Sequence, residues 1–187
     1  MKKLISLVLC ACLLALSAGA ALGEVHTVAT PEPRIPSLQD FATTTLEGEE
    51  VTQALWAQAD LTLVNVWATY CSPCLAEMPD LGALAAEYAD TGVQFVGIVM
   101  DVVDQQLQID EAQVELAREI VEKTGAGYTH LLPSLDLIYA ALLEISAVPT
   151  TFFLDKDGNR VGETYMGMKS GDDWKRIVED TKALVAQ

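Results

Sequence analysis

Two cysteines, Cys71 and Cys74, stand between a run that reads as a buried strand and a run that reads as a helix. Before them, Leu61 to Trp67 is Leu-Thr-Leu-Val-Asn-Val-Trp, continuously apolar and rich in β-formers, as in a strand covered on both faces. After them, Leu75 to Tyr88 is rich in Ala, Leu and Glu and predicts a helix, with Pro79 kinking it. A Cys-x-x-Cys at a strand-to-helix junction puts the first sulfur where free backbone N–H groups and the helix dipole stabilise a thiolate. The second sulfur lies one turn in, close enough to close a disulfide. That geometry suits reversible two-electron thiol–disulfide exchange.

The rest of the pattern predicts an α/β domain. Phe41 to Thr45 and Glu49 to Thr52 flank Leu46-Glu47-Gly48 as a hairpin, and Gln53 to Ala59 is a short helical or irregular connection. Val93 to Met100 is a second buried strand. Asp110 to Lys123 is an amphipathic helix expected to turn Ala112, Leu116, Ile120 and Val121 to the core. Gly125 to Leu132 leads into a short strand, and Leu135 to Glu144 is a helix. Thr150 to Leu154 and Arg160 to Met166 form a hairpin about Asp155-Lys-Asp-Gly158. Asp172 to Val185 closes the chain as a helix with Trp174, Ile177, Val178 and Leu184 on its apolar side. Strand–helix–strand followed by helix–hairpin–helix is an α/β succession.

The first 23 residues read as a secretory signal or an N-terminal anchor: Met1-Lys2-Lys3, an apolar Leu4 to Leu16, and small-residue cleavage sites at Ala18-Gly19-Ala20 or Ala21-Leu22-Gly23. Lipidation at Cys12 ranks below simple cleavage. Residues 24–36, with Pro31, Pro33 and Pro36, read as a linker, and residues 37–187 as the domain. With Cys10 and Cys12 in the leader, only Cys71 and Cys74 remain beyond it. A disulfide scaffold needs more cysteines, more widely spaced. Without the leader the chain carries nine basic and 27 acidic residues, a charge that argues against nucleic acid and disfavours anionic membrane surfaces.

The motifs Val64-Asn-Val-Trp-Ala-Thr-Tyr-Cys-Ser-Pro-Cys-Leu-Ala-Glu-Met-Pro79, Val148-Pro149-Thr150-Thr-Phe-Phe-Leu-Asp155, Asp157-Gly158 and Gly167 occur in this order. In them the chain resembles the thioredoxin superfamily, and more closely the exported TlpA-like disulfide reductases, over roughly Ile35 to Leu184. The resemblance implies a thioredoxin-like fold with a central mixed sheet flanked by helices. It implies that Pro149 is the cis-proline facing the disulfide, preceded by Val148, and that Gly167 borders the same groove. It implies that Trp67 and Tyr70, which by themselves read equally as ordinary packing aromatics, line that groove, and that Asn65 replaces the buried acid of cytoplasmic thioredoxins. Glu77 matches an active-site glutamate of members serving cytochrome c maturation. Ser72-Pro73 departs from the dipeptides usual in that branch.

Cys71 is expected to be the nucleophile and Cys74 the resolving thiol, in a cycle that needs no cofactor. Zinc would require more ligands than this pair, since the only histidines are His26 and His130. An exposed helical glutamate is ordinarily a solvated residue, and that reading stands beside the family role of Glu77. Glu111, Glu115, Glu119 and Glu122 read as a solvated helix face, and Asp155 to Gly158 as a turn rather than a Ca²⁺ loop. The expected function is an extracytoplasmic protein-disulfide reductase acting on protein disulfides and re-reduced by a membrane thiol-reducing carrier, with a possible N-terminal tether. The alternatives are a disulfide-donating oxidase of the same fold and a copper-delivery module. A thiol peroxidase is disfavoured, because its Pro-x-x-x-Thr-x-x-Cys element is absent around Cys71.

Overall fold

The computed structural model describes residues 37–186; the leader and the linker read from the sequence lie outside the described residues. A short hairpin, β1 (Ala42–Thr44) and β2 (Glu50–Thr52), comes first, followed by a 3-10 turn at Gln53–Gln58. Then follow β3 (Leu61–Trp67), α1 (Ser72–Tyr88), β4 (Val93–Val99), α2 (Glu111–Thr124), β5 (Thr129–Leu131), α3 (Leu135–Ala140), β6 (Thr150–Asp155), β7 (Arg160–Met166) and α4 (Gly171–Val185). The main sheet has the order β5-β4-β3-β6-β7. Strands β3, β4 and β5 are parallel, while β6 runs antiparallel to β3 and β7 antiparallel to β6. This is the mixed sheet of a thioredoxin-like fold.

Every residue of β3 is buried, because side chains alternate between two covered faces. Val64 and Val66 join Val96, Ile98, Phe152 and Leu154 beneath Phe41, Trp56, Leu137 and Leu142. On the other face, Leu61 and Leu63 pack with Leu81, Leu84, Phe153 and Trp174. Trp67 packs there too, with the two cysteines, Met78, Val114 and Ala117.

The topology gathers one end of the sheet into a site. Parallel β3, β4 and β5 all finish there, and antiparallel β6 starts there. Cys71, Asp101 and Pro149 therefore share that end, and so does Met166, which pairs with Thr150.

Three sequence expectations are corrected. On α2 the buried stripe is Val114, Ala117 and Ile120; Ala112 is exposed and Leu116 is 41% exposed. That stripe packs into the cluster of Trp67 and the cysteines, and polar ties accompany it: Gln113 accepts from Thr69, and Arg118 donates to the Leu46 carbonyl. On α4, Thr181 takes the buried place assigned to Leu184, which is 53% exposed. The helix expected over 135–144 stops at Ala140, and Ala141 leaves helical geometry before a 3-10 turn at Leu142–Glu144.

Helix α1 lies against the end of α2 at a glycine pair. A Cβ on Gly82 would sit 2.3 Å from the Gly125 carbonyl oxygen. Gly82→Ala should gain about 1 kcal/mol of helix propensity and lose about 1–3 kcal/mol to overpacking against backbone that cannot swing aside. Urea unfolding should therefore show net destabilisation; a more stable variant would contradict this packing.

Candidate active site

Cys71 is the N-cap of α1 and has extended backbone geometry; its sulfur accepts from the Cys74 N–H at 3.2 Å. Pro73 stands in the first turn of the helix, where its missing N–H costs nothing. Cys74 N–H therefore points at the first sulfur, and the first turn carries no acid to oppose charge there. The two cysteines form a disulfide, with Cα atoms 5.2 Å apart. Cys74 is fully buried, while Cys71 keeps a small exposed area. Tyr70 beside it is 74% exposed.

The four-residue passage from β3 to α1 is pinned from two sides. The Trp67 indole N–H donates to His130 Nδ1 at 3.1 Å. The Thr69 N–H donates to the Asp101 carboxylate, and its hydroxyl donates to Asp101 Oδ2 at 2.6 Å. Trp67 is fully buried in the cluster that holds both cysteines. It thus supports the pair from below and does not line an open groove, which corrects the expectation; Tyr70 alone of the two aromatics faces outward.

At the same end of the sheet as the disulfide, the Val148–Pro149 bond is cis. Val148 packs against the cysteine cluster. Gly167 N–H donates to the Pro149 carbonyl at 2.8 Å, and Gly167 has a φ of +82°, which favours glycine. Met166 and Met168, both more than half exposed, flank that turn.

Glu77, one helical turn after Cys74, is 1% exposed. It is not on a solvated face. Its carboxylate accepts from Asn65 Nδ2 at 3.0 Å, from the Trp174 indole at 3.1 Å and from the Lys169 N–H at 3.1 Å. Asn65 also donates to Thr151 Oγ1 at 3.0 Å. Burial pushes the Glu77 pKa up; the three donors and the Lys169 charge pull it only part of the way back. Asn65 cannot take a proton, but the carboxyl it holds can. Among the described residues no group of histidine, cysteine and carboxylate side chains could hold a metal.

His130, Asp101 and Trp174 were not singled out as site residues by sequence reasoning. His130 had one usable signal: a lone imidazole within the apolar run Leu131-Leu132 and Tyr128.

The family model described as AhpC/TSA matches residues 36–160. The chain belongs to the AhpC/TSA family. Family relatives include the thiol-disulfide oxidoreductase ResA of Oceanobacillus iheyensis, 32% identical over 118 residues, 59% of this chain and 54% of that one. The ResA of Geobacillus kaustophilus is 27% identical over 143 residues, 76% of this chain and 75% of that one. The match thus spans about half the length of the first relative and three quarters of the second. A crystal structure of a secreted Mycobacterium tuberculosis disulfide oxidoreductase, described as homologous to E. coli DsbE, is 25% identical. It covers 76% of this chain and 97% of its own, with a TM-score of 0.60. The relatives are described as thiol–disulfide oxidoreductases, and the bonded Cys71–Cys74 pair has the spacing that such chemistry uses.

Two buried groups make stability depend on pH in opposite senses. Burial pushes His130 down to about 4 from 6.5. The unfolded chain therefore binds this proton first, and stability falls as pH drops from 6.5 toward 4, by about 3 kcal/mol. Glu77, pushed up, favours the fold in its protonated form and loses that contribution as pH rises through its folded value. His130→Gln should flatten the acid-side loss. Urea midpoints at pH 7 and pH 4 check this: a parent and a variant that lose stability equally would contradict the neutral His130.

Proposed function

We propose that this protein is an extracytoplasmic protein-disulfide reductase. The observation that carries the reading is the placement of the two sulfurs: Cys71 caps α1 at the solvent edge, and Cys74 is sealed beneath it. Cys71 thiolate attacks one sulfur of a partner's disulfide, and the partner's other sulfur leaves as a thiolate and takes a proton. Cys74 then gives up its proton and attacks Cys71, which releases the partner's remaining sulfur as a second thiol. Two electrons and two protons pass to the partner, and the Cys71–Cys74 disulfide remains.

Glu77 lies one turn from Cys74 on the same helix and is buried with it. It is the group suited to exchange the proton that Cys74 must lose. Val148, Pro149 and Gly167, with Tyr70 opposite, form the walls against which an extended partner segment rests. The apolar side chains of Met166 and Met168 widen that rim.

The leader pattern of residues 1–23 supports an extracytoplasmic place, held there freely or by an N-terminal tether, and so does a relative described as secreted. Among the described residues no helix is long and apolar enough to cross a membrane. Outside the cytoplasm the surroundings are oxidising, so a reductant there needs a membrane thiol-reducing carrier to restore its dithiol. Members of the resembled branch serve cytochrome c maturation, which makes the disulfide of an apocytochrome haem site one candidate target.

Among the described residues the helix cap and the Cys74 N–H are what favours a thiolate at Cys71, a modest stabilisation that supports a reductant over a strong oxidase. Equilibration with glutathione buffers should give a potential nearer about −270 mV than about −120 mV; a value at the oxidising end would replace the reductase by a disulfide donor. A Cys74→Ser variant should hold its substrates as mixed disulfides on Cys71, for mass spectrometry to name. Capture on Ser-substituted protein that survives loss of Cys71 would contradict the assigned nucleophile.

A further inference from the structure

We infer that His130 is a positioning residue for the redox pair, acting through the indole of Trp67. The inference rests on the reading of Cys71–Cys74 as a redox dithiol.

His130 stands on β5 opposite Gly97 of β4. A Cβ at Gly97 would lie 2.1 Å from His130 Nδ1, so the imidazole occupies the space that a side chain on β4 would need. Tyr128 stacks on the ring, with centroids 4.5 Å apart and planes 29° from parallel. Trp67 meets it edge-on at 5.5 Å. The ring is 2% exposed.

Its two nitrogens have fixed roles. Nε2 lies 2.9 Å from the Ala126 carbonyl, which can only accept, so Nε2 carries the hydrogen. Nδ1 faces the Trp67 indole N–H, which can only donate, so Nδ1 must be bare. Burial keeps the ring neutral at ordinary pH and so preserves this tautomer. The indole nitrogen has one hydrogen and, in a fully buried side chain, one acceptor. His130 therefore sets the orientation of the indole.

Trp67 is the last residue of β3 and packs in the cluster of Cys71, Cys74 and Met78. Only Ala68, Thr69 and Tyr70 separate it from Cys71. Thr69 is tied to Asp101, so the indole and Thr69 are the two fixed points of the passage. Releasing the indole would let Cys71 drift from the Cys74 N–H that its sulfur accepts. The thiolate would then lose stabilisation: its pKa rises, and the pair becomes more reducing, because a less stable thiolate disfavours the reduced form.

A double-mutant cycle tests this, with His130→Leu, Trp67→Phe and the pair together. The readouts are the equilibrium constant with glutathione and the pH profile of Cys71 alkylation, with urea midpoints measured separately. His130→Leu should shift the equilibrium constant roughly fivefold toward the disulfide form, the worth of about one hydrogen bond, and move the alkylation profile to higher pH. In the Trp67→Phe background it should shift neither. His130→Gln, whose carboxamide can accept from the indole and donate to Ala126, should restore both. A His130→Leu variant that is less stable but has parental redox values would overturn the inference and leave an ordinary core histidine. An equal redox shift in both backgrounds would overturn the route through the indole. Should His130→Leu not fold, Trp67→Phe alone must reproduce the shift, and parental values there would overturn the inference too. A parent that exchanges with no disulfide at all would instead bring down the redox reading itself.

Discussion

The structure depends on how the chain leaves a fully buried strand and enters a helix within four residues. β3 must stay sealed on both faces to hold the sheet, yet Cys71 must reach solvent. The conflict is resolved by fastening the passage at both sides. The Trp67 indole is held by His130 inside the core, Thr69 is held by Asp101 at the end of β4, and Cys71 itself caps α1. The cap does two jobs with one group. The Cys74 N–H that would otherwise be left without a partner at a helix start points at the sulfur whose negative charge the chemistry requires.

The second constraint is electrostatic. A carboxyl buried at 1% exposure is costly unless it is well hydrogen-bonded. Glu77 receives donors from β3, from α4 and from the backbone beside the Gly167 turn. One carboxyl thus joins the central strand, the last helix and one wall of the groove. Placing the acid on α1, with Asn65 on the strand as its donor, keeps an ionisable group near Cys74 while leaving the strand position neutral. The Gly167 turn is bonded in turn to the Pro149 carbonyl, so the groove wall and the carboxyl belong to one network.

Features carried by local pattern were legible in the sequence. The strand at Leu61–Trp67, the helix after Cys74, the hairpins and the sheet-forming runs follow from apolar periodicity and turn residues. The Cys-x-x-Cys spacing marked the pair, and the resemblance supplied Pro149 and Gly167. What failed depends on long-range contacts. Ala112, Leu116 and Ile120 form a stripe as regular as Val114, Ala117 and Ile120, and the choice between them lies in long-range contacts: the second stripe packs into the cluster of Trp67 and the cysteines, with Gln113 and Arg118 tied to Thr69 and Leu46. The burial of Glu77 needs Asn65 and Trp174, residues 12 positions before and 97 after it. His130 needs the empty space over Gly97, and no local pattern announces such a space.

The most direct measurement is the alkylation of the fully reduced protein by iodoacetamide as pH is raised, with each cysteine followed by mass spectrometry. Cys71 should react first, with a midpoint below the free-thiol value of about 8.5, and Cys74 should stay protected until well above it. Cys74 reacting first, or both cysteines reacting together at the free-thiol value, would contradict the account of a capped nucleophile above a buried resolving thiol.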